Sequence, residues 1–182
     1  MHNLNNDIKK ILITKEQILN RCEELGKQID NDYQDKEPVL LALLKGSMQF
    51  LSTLGEYITI PCVEDFMKVS SYAGTTSTGN VVVKTHPSVN LKGRHVIIVE
   101  DIIDTGLTLH TVVEILKELE PESIEIITLL DKPYMRKCKD ICPKYVGFEV
   151  PNEFVVGYGL DYDELYRQLP YVGVLKEEVY NK

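Results

Sequence analysis

The chain has 182 residues, 43% of them hydrophobic and 26% charged, with a formal net charge of −8, an ordinary balance for one globular domain or a core with a small appendage. No apolar run approaches the ~20 residues that span a bilayer, and the polar opening segment lacks the apolar core of a signal peptide. The acidic surplus also argues against a nucleic-acid surface, which wants a basic face; the expectation is a cytoplasmic protein with no membrane and no nucleic-acid partner.

Residues 1–37 read as a tail and a helix. Thr14 and Gln17 form a capping box, Ile18, Leu19, Cys22 and Leu25 follow at helical spacing, and Gly26 marks the helix end. Residues 31–38 read as a loop by composition. Val39 to Leu44 is a continuous apolar run, the pattern of a strand buried on both faces of a parallel sheet. It stops at Lys45-Gly46-Ser47, and Met48, Phe50, Leu51, Leu54 and Ile58 continue as an amphipathic helix. A strand over residues 62–69 follows. The eleven residues from Ser70 to Asn80 are rich in Ser, Thr and Gly and bury little. A polar loop of that length reads either as a hairpin tip or as a lid that closes to exclude water. Val81 to Val83 is strand-like.

The most informative stretch is Val96 to Thr108, Val-Ile-Ile-Val-Glu-Asp-Ile-Ile-Asp-Thr-Gly-Leu-Thr. An apolar strand runs into Glu100, Asp101 and Asp104, passes Thr105-Gly106, and becomes a helix with Leu109, Val112, Val113, Leu116 and Leu119 on one face. Ligands sit above the carboxyl ends of parallel strands. The N–H groups and dipole at the start of the helix favour a phosphate, helped by the hydroxyls of Thr105 and Thr108. Gly106 permits close backbone approach and positive φ. Glu100 and Asp101 are acceptors only, so their partners are sugar hydroxyls or a divalent cation. The stretch therefore asks for a ligand with a phosphate, a diol and Mg2+.

Pro121 ends that helix. Ile124 to Leu130 is a further strand ending in Asp131-Lys132-Pro133, residues 145–151 another, and residues 171–175 the last; Lys176-Glu177-Glu178 reads as a solvated face. Of the four cysteines, Cys138 and Cys142 have a C-x3-C spacing, but a zinc site needs two more ligands at known spacing, and His2, His86, His95 and His110 are scattered. Reduced structural cysteines are the expectation. Alternating strands and helices give an α/β domain with a mostly parallel sheet.

Val-Glu-Asp-Ile-Ile-Asp-Thr-Gly-Leu-Thr resembles the phosphoribosyl-pyrophosphate (PRPP) motif of type I phosphoribosyltransferases, and in this form most resembles the hypoxanthine-guanine phosphoribosyltransferase family. The resemblance runs from about residue 10 to residue 175. It implies a five-stranded, mostly parallel core flanked by helices over about residues 38–150. A small hood from about residues 1–37 and 151–182 completes a single domain. It implies that Lys45 and Gly46 bind pyrophosphate, often through an unusual peptide geometry; Ser47 stands where the family often has a second Gly. It further implies a lid carrying Ser71 and Tyr72, and a PRPP site of Glu100, Asp101, Asp104, Thr105, Gly106, Leu107, Thr108 and Arg167. Lys132, Phe154, Val155 and Asp161 would form the purine site. There Lys132 would donate to the 6-oxo group, Phe154 would stack on the base and the Val155 backbone would read its edge. Glu100, Asp101 and Asp161 would attend Mg2+, and Asp104 would be the general base.

The implied reaction joins hypoxanthine or guanine to PRPP, in a homo-oligomer, dimer or tetramer. Two rivals are a phosphoribosyltransferase for another base and a PRPP-sensing regulator of the same fold that binds nucleic acid. Lys132 and Phe154-Val155 oppose the first. Against the second, the densest basic cluster is only Arg136-Lys137-Cys138-Lys139 in a chain of net charge −8.

Overall fold

A computed structural model describes residues 3–71 and 81–181. β1 (Ile8–Ile13) leads into α1 (Lys15–Asp32), β2 (Val39–Leu44) into α2 (Met48–Gly55), and β3 (Val63–Ser71) is followed by β4 (Val81–Thr85). Then come β5 (His95–Ile103), α3 (Leu107–Lys117), β6 (Ser123–Asp131), β7 (Tyr145–Glu149), β8 (Val155–Val156), β9 (Val172–Leu175) and α4 (Glu177–Tyr180).

The strands form two sheets. The larger has the order β4-β3-β2-β5-β6-β7. β3, β2, β5, β6 and β7 are the five parallel strands expected, in registers such as Val39↔Val63, Val39↔Val96, His95↔Ser123 and Ile127↔Tyr145. β4 adds a sixth, antiparallel edge strand. Because side chains alternate along each strand, β2 sends Leu40 and Ala42 to one face and Val39, Leu41 and Leu43 to the other. The first face packs under α1 (Ile18, Cys22, Leu25, Ile29) and α2 (Phe50, Leu51, Leu54), with Ile97, Val99, Ile127 and Leu129 from the neighbouring strands. The second packs under α3 through Leu109, Val112 and Leu116. Burial on both faces explains why these strands read as unbroken apolar runs.

The smaller sheet, β1-β9-β8, joins the two ends of the chain, with Ile8 opposite Leu175 and Val155 opposite Val174. Two expectations need correction. Residues 8–13 form a strand, not a tail. Gly26 does not end α1, which runs to Asp32. A Cβ at Gly26 would lie 2.6 Å from the Tyr57 carbonyl oxygen, so this glycine permits close approach of the segment after α2. The Thr14–Gln17 capping box is present as expected, with the Thr14 N–H donating to Gln17 Oε1 at 2.8 Å and the Gln17 N–H donating to Thr14 Oγ1 at 3.2 Å.

Candidate active site

The carboxyl ends of β2, β5 and β6 point the same way, and each carries polar groups. After β2, the peptide between Leu44 and Lys45 is cis, and Gly46 lies directly against β5. A Cβ there would fall 1.6 Å from Asp101 Oδ2, and a Cβ on Gly159 (φ +100°) would fall 2.0 Å from the Gly46 carbonyl oxygen. Two glycines thus let three chain segments meet: the β2 turn, the acidic end of β5 and the segment after β8.

Glu100 and Asp101 lie inside β5, which continues to Ile103. Glu100 Oε1 accepts from the Asp101 N–H at 3.0 Å, and Asp101 Oδ1 accepts from the Ile102 N–H at 2.7 Å. Burial first, then the Asp101 charge, pushes the Glu100 carboxyl well above its usual range. Asp101 is also raised, by burial, with its hydrogen bonds and the Arg167 guanidinium opposing. An unfolded chain ionises these carboxyls in their ordinary range, whereas the folded protein holds a proton on the pair to higher pH. Stability therefore falls as pH rises through the raised value. In EDTA, Glu100→Gln is expected to raise the melting temperature near pH 8 by roughly 2–4 °C for each ~1 kcal/mol relieved, and by less near ~pH 4, in the ordinary carboxylate range. Thermal unfolding at both pH values checks this, and equal shifts would contradict it.

Beyond β5, the chain turns through Gly106 (φ +79°) into α3. The turn and the first helical turn enclose a cavity of about 130 Å³ lined by Glu100, Ile102, Ile103 and residues 104–109. Asp104 Oδ1 is buried without a protein partner among the described residues. This arrangement, an N–H-rich turn at a helix start, can hold a phosphate.

At the end of β6, Lys132 is buried, and its Nζ donates to the Glu153 carbonyl at 2.9 Å. The neighbouring Asp131 is buried and ion-paired with Arg136, whose Nη1 also donates to the Ile141 carbonyl at 3.3 Å. Burial pushes the Asp131 carboxyl up although Arg136 pulls the other way. Arg136→Ala strands that carboxylate and is expected to cost about 3–5 kcal/mol, read as a lower midpoint in urea unfolding; an unchanged midpoint would show that the pair contributes nothing.

Phe154 is 39% exposed. Tyr180 stacks on it with ring centroids 4.8 Å apart, and Tyr162 meets it edge-on at 5.6 Å. The Leu175 N–H donates to the Phe154 carbonyl at 2.9 Å. The Val155–Val174 pair is therefore the one without mutual hydrogen bonds, and Val155 turns its N–H and C=O toward the outer edge of β8.

Arg167 Nη1 donates to the Gly159 carbonyl at 2.7 Å, and its Nη2 pairs with Asp161 Oδ1 at 2.8 Å. The Glu164 N–H occupies the other Asp161 oxygen at 2.9 Å. Lys45 Nζ reaches Glu164 Oε2 at 2.7 Å. Ser71 ends β3, while Tyr72 and the rest of the expected lid lie outside the described residues.

The fold thus brings Lys45, Gly46, Glu100, Asp101, Asp161 and Arg167 to one mouth. Asp104 to Thr108 line the cavity beside it, and Lys132, Phe154 and Val155 lie at the strand ends toward the smaller sheet. Sequence reasoning missed Glu164, which holds Lys45, and Tyr180, which covers a face of Phe154. Neither sits in a motif, and each pairing spans a long separation in the chain.

The fold and this mouth define a phosphoribosyltransferase: the profile of the phosphoribosyl transferase domain matches residues 10–163. The chain is 51% identical over 179 residues to hypoxanthine-guanine phosphoribosyltransferases of Staphylococcus aureus and Streptococcus pneumoniae, covering 98% of this chain and 99% of each relative. A crystal structure of a hypoxanthine phosphoribosyltransferase from Staphylococcus aureus superimposes with a TM-score of 0.95 at 50% identity, over 98% of this chain and 97% of that one. A hypoxanthine-guanine phosphoribosyltransferase from Bacillus anthracis, solved with HEPES in its active site, gives 0.89 at 43% identity, over 93% of this chain and 99% of that one. The chain belongs to the hypoxanthine-guanine phosphoribosyltransferase family.

Proposed function

We propose that this protein converts hypoxanthine or guanine and PRPP to IMP or GMP and pyrophosphate, with Mg2+. The observation that carries the reading is the phosphate-sized cavity after β5, with the buried, unpartnered Asp104 oxygen in the same turn. The donor set suits the metal: Glu100 and Asp101 are neighbouring buried carboxyls, both pushed up by burial, and hard oxygen ligands are what Mg2+ takes. When bound, Mg2+ supplies positive charge beside the departing pyrophosphate.

This chain's own groups do the rest. The 104–108 turn holds the 5′-phosphate through backbone N–H groups and threonine hydroxyls. Glu100 and Asp101 accept from the ribose hydroxyls and, with Asp161, attend the metal. The bond from ribose C1 to pyrophosphate breaks, its electron pair leaving with the pyrophosphate oxygen. Positive charge develops on the ribose, and Lys45 and Arg167 stabilise the leaving group. The base attacks through N9 while Asp104 takes the proton at N7. Lys132, with three donors and one already engaged, donates to the 6-oxo group, a choice that disfavours the 6-amino group of adenine. Phe154 offers the face opposite Tyr180 to the base, and the open backbone edge of Val155 reads its rim. Ser71 and Tyr72 belong to a lid that keeps water from the cationic ribose.

We further propose one domain over residues 1–182, a cytoplasmic location, and a homo-oligomer, dimer or tetramer. No helix among the described residues is long and apolar enough to cross a membrane. The test is an ultraviolet assay of nucleotide formation from PRPP and Mg2+ with hypoxanthine, guanine, xanthine, adenine and uracil, and an EDTA control. Turnover of hypoxanthine or guanine, lost in EDTA and absent with adenine, is the expected result. PRPP binding without turnover of any base would overturn the catalytic reading and favour a regulator, which RNA filter binding would then test.

A further inference from the structure

Outside the mouth, α3 and the segment after β6 bring together three donors of different kinds. His110, Cys138 and Asp140 each offer one ligand atom, and these atoms all lie within 4.8 Å of one another. His110 Nδ1 and Asp140 Oδ2 are 2.6 Å apart. Cys138 is half-buried and packs beside Gly106, 3.5 Å from where a Cβ on that glycine would stand. His110 and Cys138 are 28 positions apart, which hid this cluster from spacing rules; the fold closes the distance.

We propose that His110, Cys138 and Asp140 form a second cation site, separate from the carboxylates of the mouth, for a thiophilic divalent ion of the Zn2+ class. A thiolate, an imidazole nitrogen and a carboxylate oxygen are donors that Zn2+ takes in tetrahedral geometry, with a fourth position left to water. Donors around such an ion stand roughly 3.3–3.8 Å apart, so the 2.6 Å His110–Asp140 pair must open and the longer separations, up to 4.8 Å, must close, each by about 1 Å. Mg2+ is a poor occupant, since it prefers an all-oxygen shell. Binding releases the Cys138 thiol proton, and any proton on His110 Nδ1 when that atom is the ligand.

The site is tied to the turn beneath it. The Lys137 and Cys138 N–H groups donate to the Thr105 carbonyl at 2.9 and 3.2 Å, and the His110 N–H donates to the Gly106 carbonyl at 2.9 Å. An ion bridging α3 to the 136–142 segment therefore clamps residues 105–106 from both sides. That consequence for substrate binding rests on the phosphate reading of the turn; the ion site itself does not.

The experiment titrates Co2+ into the reduced, EDTA-stripped protein with Mg2+ in excess, following the thiolate-to-cobalt charge-transfer band. One Co2+ per chain is expected, displaced by Zn2+. The band is lost in Cys138→Ser and unchanged in Cys142→Ser. In His110→Ala the affinity falls by at least the roughly 10–100-fold that loss of a supporting partner alone costs. Zn2+ should also slow hydrogen exchange at the Lys137 and Cys138 amides. A missing band, or one that survives Cys138→Ser, overturns the site. Cys138→Ser is a near-isosteric change, and the His110→Ala arm keeps the test independent of that variant's folding. Were the enzymatic reading wrong, the band would remain; were this site wrong, nucleotide formation would remain and the band would be absent.

Discussion

Asp104→Asn is expected to lower kcat by about 10²–10⁴-fold while KM for PRPP moves by no more than about twofold. The side chain sits in the turn that lines the cavity after β5, and its Oδ1 is buried with no protein partner among the described residues. A buried acceptor left open costs free energy unless something completes it, and a purine N–H is the partner that the reaction supplies and consumes. Asparagine keeps the shape and one acceptor oxygen, but it cannot take up a proton. The backbone N–H groups of the turn, proposed to hold the phosphate, should be unaffected. Steady-state kinetics with PRPP and hypoxanthine varied in turn separate these effects. Unchanged turnover would remove Asp104 from the chemistry, and a matched rise in KM for PRPP would reassign it to holding the phosphate turn.

Gly46→Ala is expected to reduce kcat/KM for PRPP by ~10²-fold, the scale of loss when reacting groups are misplaced by about 1 Å. The added methyl would stand 1.6 Å from Asp101 Oδ2 and 2.6 Å from its Cγ. Asp101 must leave its place or the β2 turn must lift. The turn has little room, because Gly159 closes on the Gly46 carbonyl from the other side. Either movement disturbs the meeting of the β2 turn with the acidic end of β5. Since the added methyl meets a side-chain carboxylate and not the sheet, the melting temperature should fall much less than activity. Unimpaired kcat/KM would show that Asp101 can move without consequence for PRPP.

The main sheet was legible because β2, β5 and β6 are buried on both faces and so carry continuous apolar runs. The turn from Asp104 to Thr108 was legible because it is local: a strand, a turn and a helix start within a few residues. What escaped depends on partners distant in the chain. β1, Ile-Lys-Lys-Ile-Leu-Ile, is largely exposed and exists through its pairing with β9. β8 is only two residues long. Gly26 looked like a helix stop because its neighbour Tyr57 is thirty-one positions away. The Lys45–Glu164 pair joins groups 119 positions apart, and the cluster of His110, Cys138 and Asp140 is assembled only when α3 meets the segment after β6. Local pattern reports local structure, and these features belong to closure of the fold.

The strand order of the smaller sheet sets a timetable for biosynthesis. β9, the last strand made, lies between β1, the first, and β8. A nascent chain can lay down β2, β3, β5, β6 and β7 in turn on the ribosome, since N-terminal structure forms first during synthesis. Until residues 172–175 emerge, however, β1 and β8 have no strand between them. The backbone edge at Val155 is therefore finished last, and a chain interrupted before β9 would retain the turn after β5 while lacking the completed edge of β8.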